Sequence, residues 1–240
     1  MSISNPRVEN PAKKFIEFSG DTGVFSWYDK EKAEKVQLQT PMFFVVLDEL
    51  STIAGYSDQY ASGIYSNEVH RIGDEELRVK SFKGGFVKSG KYADIKDEIK
   101  AVGGKFAKSI YALLITGENQ YEVVNFKMKG AAFAGWLEKK FDTSKCAVKF
   151  TQTKTDKKGK TVYHIPIFEA VKLTDKILNI AVLEDRKLQE FLKSYKSQQL
   201  EKVEALEPIK ETFTPEQYVN TTQSREYEPV DPDLVSDLPF

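Results

Sequence analysis

The sequence predicts a mainly β fold: a small twisted barrel or sheet with insertions, accessory helices, a long C-terminal helix and an acidic tail without regular structure. Three observations predict it. Short runs of β-branched and aromatic residues recur between Gly, Asn and Asp turn signals. Apolar residues at helical spacing are confined to three segments. Beyond position 205 the apolar content falls, prolines recur (Pro208, Pro215, Pro229, Pro232, Pro239) and periodicity ends. The 240 residues, 40% of them hydrophobic, are enough for one sizeable core.

In chain order, residues 1–12 hold Pro6 and Pro11 among polar residues and are expected to form a flexible arm. Residues 13–18 (KKFIEF) alternate as a strand does, and 24–28 (VFSWY) give a second strand after the turn residues Gly20 to Gly23. The run 42–47 (MFFVVL) has strand length and is expected to be buried on both faces. Short β-like pieces follow near 51–56, 63–67 and 77–82. In 92–102, Tyr92, Ile95, Ile99 and Val102 share one helix face, and Gly103-Gly104 stop the helix. Residues 109–116 and 121–127 flank a Gly-Glu-Asn-Gln loop as a hairpin. A short helix over 131–140 buries Phe133, Trp136 and Leu137. Residues 147–153 and 161–168 bracket a lysine-rich hairpin tip at 154–160. The longest helical pattern, 174–198, is capped by Thr174 and carries the stripe Ile177, Ile180, Leu188, Phe191, Leu192 and Tyr195. Among architectures of many short strands, a five-stranded oligonucleotide-binding barrel (OB-fold) with insertions fits this order first. The organisation expected is an arm at 1–12, a folded domain at 13–200 and a disordered acidic tail at 201–240.

The net charge of −1 hides an asymmetry. Residues 201–240 hold ten acids and three bases, a net −7, leaving +6 on residues 1–200; the window 80–160 has 18 lysines against 8 acids. A basic body joined to an acidic end suits a protein that holds a polyanion. No apolar run is long enough to span a membrane, and the N-terminal residues lack the features of a signal peptide. A cytoplasmic location is the expectation, and the lone Cys146 rules out an internal disulfide.

Several chemistries lack their residues. The two histidines, His70 and His164, and one cysteine do not complete a Cys/His zinc site without a carboxylate, and no Gly-x-Ser-x-Gly elbow is present. Residues 85–91 match G-x-x-x-x-G-K, but Tyr92 stands where a phosphate-binding loop needs the Ser or Thr that holds magnesium. Acidic residues such as Asp94, Asp97 and Glu98 are interleaved with lysines at helix spacing, as on a solvated face rather than at a two-metal centre. The expectation is a non-enzymatic protein with no cofactor and no metal.

The chemistry present is that of single-strand binding, in which cations track phosphates and aromatic faces stack on bases. Lysines and rings interleave at Lys80-Ser81-Phe82-Lys83, Phe86-Val87-Lys88, Lys105-Phe106 and Phe126-Lys127. The candidate stacking residues are Trp27, Tyr28, Tyr56, Tyr65, Phe82, Phe86 and Tyr111. The candidate cations are Lys80, Lys83, Lys88, Lys105, Lys108, Lys127, Lys129, Lys157, Lys158 and Lys160, with Arg71 and Arg78 adding stacking as well as charge. At the C-terminus, Asp231, Asp233, Asp237, Leu238, Pro239 and Phe240 form a candidate partner-binding tip: a ring for an apolar pocket, a terminal carboxylate for Arg or Lys, and acids for a basic rim.

The ending Asp237-Leu238-Pro239-Phe240 resembles the acidic tip of bacterial single-stranded DNA-binding proteins, which close in Asp-(Ile/Leu)-Pro-Phe. That resemblance implies a docking peptide for replication, recombination and repair proteins. The body resembles the OB-fold single-stranded DNA-binding proteins of tailed bacteriophages. The stretches that carry it are 44–53 (FVVLDELSTI), 62–69 (SGIYSNEV), 82–85 (FKGG), 103–109 (GGKFAKS), 125–132 (NFKMKGAA) and 185–190 (DRKLQE). It implies a sequence-tolerant protein that coats single-stranded DNA in phage replication or recombination, in the host cytoplasm, as a monomer or small homo-oligomer. The alternatives are a strand-annealing recombinase, or a phage protein that meets host factors through its tail without touching DNA.

Overall fold

The structure, a computed structural model, describes residues 8–83 and 85–204. It is mainly β, with three helices among the described residues. The chain divides into two units: residues 11–189 form one, and the described residues 8–10 and 190–204 belong to the other. The partner-binding candidates Asp231, Asp233, Asp237, Leu238, Pro239 and Phe240 lie outside the described residues.

Among the described residues, eleven strands join one open sheet. They are β1 (Lys14–Ser19), β2 (Val24–Asp29), β3 (Glu34–Gln37), β4 (Met42–Ser57), β5 (Ser62–Ser66), β6 (Leu77–Ser81), β7 (Gly85–Gly90), β8 (Gly104–Gly117), β9 (Gln120–Lys129), β10 (Ala147–Lys158) and β11 (Thr161–Val171). The hydrogen-bonded order is β3-β2-β1-β9-β8-β4-β5-β6-β7, and β10 pairs with both β11 and β4. The pairing of β1 with β9 is parallel.

β4 organises the sheet. Its 16 residues pair with β8 along almost their whole length, with β10 at Met42 to Phe44, and with β5 at Ala54 to Ser57. Pairing with β8 shifts between Val46 and Asp48, so one residue bulges. Because strand alternation has a period of two, that bulge exchanges the faces. Phe44 points to the main core before it, and Ile53 continues the same side after it. The expected break near position 50 is therefore absent: the pieces at 42–47 and 51–56 are one strand.

The main core holds Ile16, Phe18, Phe25, Phe44, Phe126, Trp136, Phe150 and Phe168 with aliphatic neighbours. Phe25 sits 4.9 Å from both Phe18 and Phe150, tilted or edge-on, as aromatic quadrupoles prefer. The sheet curls around these rings but is not laced shut. Between β11 and the β1–β2 turn, one backbone bond joins the His164 N–H to the Gly20 carbonyl at 2.7 Å. Helix α2 (Ala131–Glu138) packs Ala132 and Trp136 into this core.

The insertion between β4 and β8 carries a second core. Helix α1 (Tyr92–Ala101) sets Ile95 and Ile99 against Ile53, Ile64 and Val79. Asp94 in its first turn and Lys100 in its last suit the helix dipole. Gly103, at φ +90°, ends it; a Cβ there would meet the Tyr56 carbonyl oxygen at 2.1 Å. Helix α3 (Asp175–Glu204) crosses the unit boundary. Within residues 11–189, Lys176 Nζ bonds Asn119, which ties the start of α3 to the β8–β9 turn, and Gln189 Nε2, halfway along the helix, donates to Asp48 Oδ2 of β4 at 3.0 Å. In the other unit, Phe191 and Tyr195 stack at 5.9 Å. No helix among the described residues is long and apolar enough to cross a membrane.

Candidate nucleic-acid interface

The β5–β6–β7 insertion has two faces of opposite character. α1 closes one. The other is open, and strand pairing says which residues share it, since directly paired residues point the same way. Lys105 pairs with Ala54, Ala54 with Tyr65, Tyr65 with Lys80, and Lys80 with Phe86. One row thus crosses five strands from β8 to β7. Beside it, Tyr56 pairs with Gly63. Phe82, two residues beyond Lys80, bonds its N–H to the Gly63 carbonyl at 3.1 Å and lies on the same side. Arg78, two before Lys80, shares it too.

Four aromatic rings therefore share one face with Arg78, Lys80 and Lys105. Tyr56 and Phe86 are each 61% exposed and Phe82 is 46% exposed. A large ring left this open gives up hydrophobic burial, which is the unusual direction for a Phe in a sheet. The Tyr65 and Phe82 rings lie 4.6 Å apart at 31°. Gly63 makes that arrangement possible, because a Cβ there would stand 2.8 Å from the Phe82 ring. Burial raises the Tyr65 phenol above its ordinary pKa. Lys83 is exposed in the adjoining turn, where its N–H donates to Ser62 Oγ at 3.1 Å.

Beyond Lys105 the same side of the sheet closes over. Glu68 accepts hydrogen bonds from the Ser109 hydroxyl, from Tyr111 Oη at 2.9 Å and from Lys127 Nζ at 3.1 Å. Asn125 donates to Ser109 Oγ at 2.7 Å beneath it. Lys129 pairs with Glu17 at 2.7 Å. Lys127 and Lys129 thus border the open face with carboxylates already attached.

Four expected site residues lie away from this face. Tyr111 is 2% exposed and hydrogen-bonded to Glu68, so its ring presents no face to a base. Lys88 falls on the α1 side of β7, paired with Glu98 at 2.8 Å. Lys108 also falls on the core side of β8, where Glu49 takes its ammonium at 3.1 Å and the Trp136 indole at 3.0 Å. Trp27 packs against the main core, with Lys14 Nζ 4.8 Å over its ring.

The remaining candidates are exposed but apart. Tyr28, 56% exposed, stands on β2, five places from β5 in the strand order. Arg71 lies in the β5–β6 loop, its N–H bonded to Glu75. Lys157, Lys158 and Lys160 stand at the end of the β10–β11 hairpin, which stays paired out to Lys158 and Thr161. Residues 85–91, the G-x-x-x-x-G-K look-alike, run through strand β7 (Gly85–Gly90) to Lys91, so they do not wrap a phosphate as a strand-to-helix loop does.

Sequence reasoning missed Gly63, Glu68 and Asn125. A glycine directly opposite a tyrosine in an antiparallel pair is a local signal for the first, once the register is known. The other two left no linear mark, because their partners lie up to 59 residues away.

Comparison of the chain with protein-family models, with curated proteins and with solved structures finds no match.

Proposed function

We propose that this protein binds single-stranded DNA without regard to sequence, in replication or recombination of a phage genome, and is not an enzyme. The observation that carries this reading is the open face of Tyr56, Tyr65, Phe82 and Phe86 with Arg78, Lys80 and Lys105. Every base has a π face, so exposed rings stack on any sequence, and the flanking cations take the phosphates. Duplex DNA offers such rings nothing, because its bases are already stacked. The curled sheet around the main core is then an oligonucleotide-binding barrel left incomplete between β11 and β1, with the end of β4 and the insertion at residues 58–103 supplying the stacking surface. The acidic C-terminal tip Asp237-Leu238-Pro239-Phe240 serves as the docking peptide for replication and recombination proteins.

The test has two arms. Labelled oligothymidylate titrated at several salt concentrations is expected to lose affinity with a slope of about −0.7 per phosphate contacted. A flat salt response contradicts a cationic face. Removing residues 229–240 is expected to abolish capture of replication proteins and leave oligonucleotide binding in place; unchanged capture contradicts the role of the tip.

A further inference from the structure

Around the edge of β8 from the aromatic face lies a cavity of about 550 Å³ between α1 and the start of that strand. Ile53 and Ile99 line it, with Tyr92 and Phe106, whose ring centres are 5.7 Å apart. Lys96, Lys100 and Lys105 also line it, against one carboxylate, Asp97. Its size falls within the range of about 300–1,000 Å³ typical of small-molecule sites. An apolar slot with two rings and three cations against one acid matches an anion that carries a flat apolar group.

Its position says which one. β9 ends at Lys129, opposite Ala107, so among the described residues no strand pairs with residues 104–106 of β8 on that edge. Lys105 stands on that edge. By strand pairing it ends the row that runs through Tyr65, Lys80 and Phe86, and it also lines the cavity. The two surfaces are continuous through one side chain. Resting on the single-strand reading above, we propose that the cavity is a subsite for one unstacked nucleotide at the end of the bound strand. The base lies against Tyr92 and Phe106, and its phosphates meet Lys96, Lys100 and Lys105. The strand then crosses the β4–β7 face and turns over the β8 edge, so the footprint is longer than the open face alone accommodates.

Lys96 and Lys100 are exposed on α1, so a Lys96→Glu/Lys100→Glu variant tests the site without disturbing a core. Lys172→Glu/Lys187→Glu makes the same charge change at exposed positions elsewhere. The probe is a series of oligothymidylates of rising length. The α1 variant is expected to bind the shortest oligonucleotides as the control does, and the long ones about tenfold more weakly, in line with the loss of one stacked, phosphate-held nucleotide. A loss equal to the control at every length, or the same at every length, overturns the subsite. As a second readout, 5-iodouracil at the strand terminus is expected to photocrosslink to Tyr92 or Phe106 in the wild-type protein. Crosslinks confined to Tyr56, Tyr65, Phe82 and Phe86 overturn the subsite while leaving the open face as the binding surface. If wild-type protein binds no oligothymidylate of any length, the single-strand reading itself fails.

Discussion

Two groups of aromatic residues sit in one sheet and do opposite things. Phe18, Phe25, Phe44, Phe126, Phe150 and Phe168 are packed ring on ring in the main core. Tyr56, Tyr65, Phe82 and Phe86 line an uncovered face a few strands away. Composition and strand propensity do not separate them. Coverage does: the sheet curls over the first group, whereas α1 covers the insertion from one side only and leaves the other open. The first group stabilises the fold. In the second, Tyr56, Phe82 and Phe86 keep much of their ring surface exposed.

The largest expected difference is in stability. Phe44→Ala removes a fully buried ring and should cost about 3–5 kcal/mol, measured by urea denaturation; a change below 1 kcal/mol breaks the contrast at its core end. Glu68→Ala probes where the open face closes. It strips the acceptor from Ser109, Tyr111 and Lys127, and should cost about 1–3 kcal/mol, read from the same denaturation curves. Gly63→Val sharpens the comparison from the ligand side. The new side chain displaces the Phe82 ring, and oligonucleotide affinity should fall by about 1 kcal/mol in an anisotropy titration; unchanged affinity would remove Phe82 from the surface. The smallest effect separates two lysines of one hairpin. Lys80→Ala should lower the salt slope of binding by about 0.7, whereas Lys88→Ala, on the α1 side and paired with Glu98, should leave it unchanged.

Much of the fold was legible in the residues. The hairpin at β8–β9, the helices at α1, α2 and α3 and the β10–β11 pair all follow local periodicity and turn signals. What escaped was long-range. The bulge in β4 exchanges faces mid-strand, so a fixed alternation misreads everything beyond it. β7 carries glycines at both ends, Gly85 and Gly90, and little strand signal of its own; its pairing with β6 is what makes it a strand. Residue type singles out Tyr56, Tyr65, Phe82, Phe86, Arg78, Lys80 and Lys105, and they come together on one face. Tyr111, Lys88, Lys108 and Trp27 were picked by the same rule and do not join it. Their partners Glu68, Glu98, Glu49 and the main core are set by register and helix docking, which residue type does not encode.

The most direct measurement is the affinity of oligothymidylate for a Tyr56→Ala/Phe86→Ala variant whose denaturation curve overlays the wild type. With stacking lost at two exposed rings, binding should weaken by about 1–3 kcal/mol for each base released at undiminished stability. Equal affinity in the two proteins would show that these open rings hold no bases.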